Sequence, residues 1–213
     1  MNVINIQNLT RDYGCGKGIF NLSFQVRQGE VFGFLGPNGA GKTTTIRHLM
    51  GFLRPKTGKC TIGGLDCWSQ RDKVQARLGY IPGEISFFDD MSGTEFLRFI
   101  AEYRKINAGN RMEELLERFE LDPKGKIKKM SKGMKQKIGI VSAFMHDPDI
   151  LVLDEPTSGL DPLMQSRFVE LLGEEKQKGK TILMLPTPAG KSRPFSSREW
   201  KRACAAPAAS ARF

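Results

Sequence analysis

The chain has 213 residues, 39% of them hydrophobic and 26% charged, which are the proportions of a folded globular domain and exclude a disordered or fibrous chain. No apolar run approaches the roughly 18 residues of a membrane-spanning helix, and the first residues lack the basic-then-apolar layout of a signal peptide. The formal charge of +10 invites a nucleic-acid reading, but six basic residues against one acid lie in residues 186–213; the remainder is scattered outside Lys124–Lys137, so no nucleic-acid partner is expected.

In chain order, residues 2–35 read as β-rich, with alternating apolar positions at Val3, Ile4 and Ile6 and again at Phe20, Leu22, Phe24 and Val26. The apolar run Val31–Leu35 leads into Gly36-Pro37-Asn38-Gly39-Ala40-Gly41-Lys42-Thr43-Thr44, which fits the phosphate-binding pattern G-x-x-x-x-G-K-[ST] between a strand and a helix. Glycines there let successive backbone N–H groups converge with a helix N-terminus on phosphate oxygens. Lys42 is positioned for the β- and γ-phosphates, and the Thr43 hydroxyl for Mg²⁺. A helix is predicted from Thr44 to Met50, and strand character returns at residues 58–64.

Residues 85–145 change to helical periodicity, with helices predicted at Thr94–Lys105, Arg111–Phe119 and Gly133–Met145, separated by loops at Gly93, Gly109-Asn110 and Asp122-Pro123. The lysine-rich run Lys124–Lys137 reads as a solvated face. Within it, Ser131 is suited to cap the helix that follows. Next, Asp149-Ile150-Leu151-Val152-Leu153-Asp154-Glu155-Pro156 reads as a buried parallel strand that presents two carboxylates at its C-terminal edge. Asp154 is placed to hold Mg²⁺ and Glu155 to act as general base on a water. Four cysteines (Cys15, Cys60, Cys67, Cys204) show no metal-ligand spacing and read as free thiols. His48 and His146 read as packed or surface residues, and Met91, Met112, Met130 and Met134 as packing or loop residues.

The order of these segments, completed by Met130-Ser131-Lys132-Gly133-Met134 and Ser158-Gly159-Leu160-Asp161, resembles an ABC-family ATPase over residues 2–185, and within that family the ABC-2-type exporter group. The family's signature is L-S-G-G-Q; Ser131 and Gly133 keep the two positions that face the γ-phosphate in relatives. The resemblance implies an α/β fold: a P-loop NTPase (RecA-like) core with an N-terminal antiparallel β subdomain and a helical subdomain inserted at about residues 85–145. It implies ATP and Mg²⁺ as ligands. It implies a head-to-tail homodimer or pseudo-dimer in which the signature meets the partner's nucleotide, and a transmembrane permease as a separate chain. The location implied is peripheral, on the cytoplasmic face of the membrane. Tyr13 falls where relatives stack an aromatic on adenine, although a surface-turn tyrosine is the plain alternative. Asp161 falls in the loop that couples the two sites. Gly83 stands in place of the family's glutamine, with Glu84 beside it as a candidate substitute.

One departure is larger. After Thr181-Ile182-Leu183-Met184 the family continues Ser-Ser-His, and this chain reads Leu185-Pro186-Thr187, with Thr187 in place of the histidine that orders the attacking water. Deleting one base from codons for Met-Ser-Ser-His produces Met-Leu-Pro-Thr. The expectation is that residues 186–213 are an out-of-frame, disordered basic tail on a truncated ATPase domain of residues 1–185. ATP binding would then survive while hydrolysis is impaired. A regulatory ABC protein with no membrane partner is a third reading, disfavoured because such chains carry two cassettes and this has one phosphate loop.

Overall fold

The computed structural model describes residues 1–37, 39–88 and 90–185. Two sheets organise them. Strands β1 (Asn2–Asp12), β2 (Gly18–Arg27), β4 (Thr57–Ile62) and β5 (Leu65–Asp66) form an antiparallel sheet in the order β2-β1-β4-β5. Strands β3 (Val31–Gly33), β6 (Leu78–Ile81), β7 (Ile150–Asp154) and β8 (Thr181–Leu185) form a parallel sheet in the order β3-β8-β7-β6.

Every residue of β7 and β8 is buried, as expected of central parallel strands covered on both faces. Alternation along them divides the core in two. Leu151, Leu153, Ile182 and Met184 face a cluster with Leu97, Leu115, Ile138, Phe144 and Phe168 from the helical side. Ile150, Val152, Leu183 and Leu185 face the opposite way, onto Ile46, Leu49 and the apolar side of the antiparallel sheet, Ile4, Ile6 and Val26. Helix α1 (Lys42–Leu49) therefore lies between the sheets, with Ile46 and Leu49 fully buried. Its partner in that layer, His48, is also buried; burial lowers its pKa, and its Nδ1 lies 3.0 Å from the Leu53 carbonyl.

The helical side comprises α3 (Gly93–Arg104), α4 (Gly109–Arg118) and α5 (Lys132–Phe144), preceded in the chain by the short α2 (Arg71–Ala76). Each of the three predicted helices exists within one or two residues of its expected span. Helix α3 starts early because Ser92 and Glu95 form a reciprocal cap: the Ser92 hydroxyl accepts from the Glu95 N–H, and the Glu95 carboxylate accepts from the Ser92 N–H. Helix α6 (Pro162–Gln177) was not expected from the sequence. Its buried positions Met164, Phe168, Leu171 and Leu172 have helical spacing, but the stripe is completed by a charged residue, Glu175.

Glu175 is fully buried and held by cations from three directions. Arg111 of α4 donates to it at 2.7 Å and Lys178 at 2.9 Å, and Lys180 joins it to Asp147. Burial alone would raise its pKa, but the Lys180 and Lys178 ammonium groups outweigh that and hold it below the usual carboxylate range. Arg118 to Glu174 at 2.9 Å and Arg167 to Glu120 at 2.6 Å continue this seam between α4 and α6. Deleting one member of a buried ion cluster strands the rest, at a cost of about 3–5 kcal/mol. Glu175→Ala should therefore lower unfolding free energy by that amount in a urea titration, whereas the exposed-pair change Asp72→Ala should stay within about 0.5 kcal/mol of the parent.

Candidate functional site

The site forms where the parallel strands end. Between β3 and α1 the chain turns through Gly39 and Gly41, both at positive φ. Gly41 is the residue that enters α1, at φ 76°, and a Cβ there would stand 2.6 Å from Ile19 and 3.0 Å from the Gly18 carbonyl. Only glycine meets both the backbone conformation and the close approach. This packing also brings the β1–β2 hairpin, with Tyr13 exposed on its turn, against the phosphate loop. The Arg11 guanidinium lies 5.3 Å from the Tyr13 ring centroid, which leaves the other face of the ring for a second planar group.

The Lys42 ammonium donates to the carbonyls of Gly36 (2.6 Å) and Pro37 (2.8 Å), so its charge is folded back over the loop that it would share with a phosphate. Helix α1 has no acidic residue in its first turn and carries Arg47 and His48 in its last, so its N-terminal field is uncompensated and favours an anion. Gly36, Pro37, Gly39, Ala40, Lys42, Thr43 and Thr44 lie along this loop and the first turn of α1; Asn38 lies outside the described residues.

Across from it, β7 delivers Asp154 and Glu155. Asp154 is 5% exposed. Burial and then the charge of Glu155 raise its pKa to about 6, against the opposing charges of Lys42 and Arg47. Glu155 has φ 47°, unusual for a non-glycine residue, and its N–H is held by the Leu185 carbonyl at 3.0 Å. A cleft of about 960 Å³ joins Thr43, Asp154 and Glu155 to Glu84, Lys132 and Ser158. Gly83 lies so close that a Cβ on it would be 3.3 Å from the Asp154 carboxylate, so a larger residue in that backbone position would crowd the acid.

Ser131 and Gly133 lie beyond the Lys132–Gly159 rim of this cleft. Ser131 caps α5, its hydroxyl accepting from the Met134 N–H at 3.2 Å. A Cβ on Gly133 would meet the Gly159 carbonyl at 2.7 Å. Asp161 caps α6 and accepts from the Met164 N–H at 3.0 Å. None of these three residues, nor Tyr13, lines the cleft that holds Asp154. Lys124, Lys126, Lys128, Lys129 and Lys132 are exposed; Lys126 and Lys128 reach the Asp90 backbone and carboxylate, and the Lys132 stem lies over Gly159 at the cleft. Sequence reasoning missed Arg47 and Tyr80, which line the same cleft. Arg47 could have been found from its spacing, one helical turn beyond Thr43.

Among the described residues no cluster of three or more His, Cys, Asp or Glu forms a self-contained metal site. A hydroxyl and one buried carboxylate beside a phosphate loop instead fit Mg²⁺, which is usually held by one or two carboxylates together with substrate phosphates. Because the folded chain binds the Asp154 proton more tightly than the unfolded chain, this group's contribution to stability is lost as pH rises from about 4 to about 6. His146, lowered by burial to about 4, has the opposite slope. Comparing parent with Asp154→Asn isolates the acid: the substitution should stabilise the nucleotide-free protein near neutral pH and remove the falling component of thermal stability over that window. Mg²⁺-dependent nucleotide binding by the parent should strengthen across the same window and be absent from Asp154→Asn.

A family model described as ABC transporter matches residues 19–158. The chain is 38% identical over 179 residues to "Bacitracin transport ATP-binding protein BcrA" of Bacillus licheniformis, covering 82% of this chain and 58% of that protein. It is 38% identical over 173 residues to "ABC transporter ATP-binding protein NatA" of Bacillus subtilis, covering 78% and 70%. A solved "ATP binding subunit of ABC transporter" superimposes with a TM-score of 0.80 at 32% identity, over 86% of this chain and 78% of that one. The dimeric cassette MJ0796 shares the fold, with a TM-score of 0.72 at 21% identity over 85% and 87%.

Proposed function

The chain belongs to the ABC transporter family, and from that premise we propose that it is the ATP-binding subunit of an exporter, hydrolysing MgATP in a head-to-tail dimer to drive a separate permease. It spans 58% of BcrA and 61% of the Bacillus subtilis protein YdbJ, so the activity of a complete subunit is part of the proposal. The observation that carries it is the cleft in which Thr43 of α1 faces Asp154 and Glu155 at the end of β7.

In this reading Lys42 exchanges its two loop carbonyls for phosphate oxygens, and the backbone from Gly36 to Thr44 cradles the triphosphate. Tyr13 offers its free face to the base. Thr43 and Asp154 would hold Mg²⁺, which would supply positive charge to offset that of the triphosphate. Glu155 accepts a proton from a water as that water's oxygen bonds to the γ-phosphorus; the bond to the bridging oxygen breaks, and ADP leaves with the electron pair. Ser131 and Gly133 present the α5 N-terminus to the nucleotide of a second copy, and Asp161, the cap of α6, belongs to the loop that couples the two sites. No described helix is long and apolar enough to cross a membrane. An exposed aromatic cluster, Phe88 edge-on to Phe99 (5.8 Å) and Phe99 stacked with Tyr103 (6.3 Å), supports a docking face for the permease, at the cytoplasmic side of the membrane.

Thr187 and the rest of residues 186–213 lie outside the described residues. The sequence departure at Thr187 favours a second outcome, ATP binding with slow turnover. Equilibrium binding and steady-state hydrolysis separate the cases. Lys42→Ala should weaken MgATP binding by about 10–100-fold through loss of a charged hydrogen-bond donor. Glu155→Gln should leave binding within a few fold and lower turnover by about 10²-fold or more. If Thr187→His raises turnover without changing affinity, the chain is a slowed ATPase; a parent that already turns over at the rate of Thr187→His would refute that. Phe99→Glu with Tyr103→Glu should abolish co-purification with the permease and preserve ATP binding.

A further inference from the structure

Gln136 is a buried polar residue with no part in the chemistry above. It lies on the inner face of α5, five residues after Ser131, and is 5% exposed. Its side-chain amide donates to the Pro156 carbonyl at 2.8 Å. Pro156 immediately follows Glu155. The turn that Glu155 opens is thus gripped on two sides: its own N–H by β8, through the Leu185 carbonyl, and the next carbonyl by α5. The turn closes on itself through Ser158 N–H to the Glu155 carbonyl (3.1 Å) and Leu160 N–H to the Thr157 carbonyl (3.2 Å). At its far end the Gly159 carbonyl lies so close to Gly133 that no Cβ fits between them.

We infer that Gln136 is a positioning residue that joins the Ser131–Gly133 end of α5 to the Glu155 turn as one rigid body. The inference rests on the proposed ATPase reading. One end of this body meets the partner's nucleotide and the other carries the general base for its own. The consequence is reciprocal: seating the α5 N-terminus on the second nucleotide fixes the carboxylate on the first. Glu155 needs such support because its left-handed backbone conformation is not intrinsically favoured and must be imposed by its surroundings. A buried amide–carbonyl bond suits this role, since the alternative is an unsatisfied Pro156 carbonyl.

The test compares the full chain with Gln136→Met, which keeps length and volume but removes the donor, and Gln136→Glu, whose carboxylate would repel the same carbonyl. Three quantities are read: MgATP affinity of the isolated chain, the MgATP-dependent monomer–dimer equilibrium by sedimentation, and kcat against KM. The expected result is affinity and KM within about 2-fold of the parent, a dimer at least about 10-fold weaker and kcat lower by about 10-fold, the scale of one lost positioning hydrogen bond. Gln136→Glu should be worse than Gln136→Met in both dimer strength and kcat. A Gln136→Met chain that dimerises and turns over within 2-fold of the parent would overturn the inference alone. So would a loss confined to affinity and KM. A parent that fails to bind MgATP would overturn the ATPase reading and this inference with it.

Discussion

A strand that is apolar on both faces for four residues and then ends in two carboxylates has few places to go. β7 is that strand, and its burial dictates the architecture. Its apolar length demands cover from both sides, which the helices supply on one face and α1 with the antiparallel sheet on the other. Its acidic end demands water or a cation, which is available only at the sheet edge. The phosphate loop emerges from β3 at that same edge, because parallel strands all point their C-termini the same way. Asp154 and Lys42 are thereby brought within electrostatic reach although more than a hundred residues separate them in sequence.

Two of the site's charged groups are held by their own surroundings. Lys42 is occupied by loop carbonyls and Asp154 holds its proton more tightly than a free carboxylate does. In the proposed reading MgATP would relieve both conditions together, an anion meeting the ammonium and a cation meeting the acid. Backbone proximity rather than side-chain reach sets the fine geometry. Gly41 against Ile19 and Gly133 against Gly159 are two places where a single carbon would force a shift, and Gly83 lies close against the Asp154 carboxylate.

Much of this was legible in the sequence, for identifiable reasons. The phosphate loop and the Leu-Asp-Glu strand end combine local pattern with chemistry, so their residues stand out without any knowledge of contacts. Helices α3, α4 and α5 announce themselves by apolar spacing, and α5 also by its Ser131 cap. Helix α6 did not, because its stripe ends on Glu175, a residue that only a three-cation pocket built from α4 and the α6–β8 connection makes buriable. The roles of Gln136 and Arg47 were harder to read: Gln136 closes the signature run without declaring a partner, and Arg47 offers only its spacing from Thr43. Their meaning lies in what faces them, the Pro156 carbonyl and the Asp154 carboxylate, and both partners are distant in the chain.

The strand order carries a consequence for how the molecule comes into being on the ribosome. β8, the last described strand, does not extend an edge; it inserts between β3 and β7 and supplies the carbonyl that holds Glu155. Until residues 181–185 have cleared the exit tunnel, the parallel sheet exists as two unjoined halves, each exposing an unpaired edge. The antiparallel sheet and the helical segments can form locally during synthesis, but the loop closed when β3 meets β8 spans almost the whole domain. A nascent chain therefore reaches residue 181 with apolar strand edges still open and the turn at Glu155 not yet held by β8.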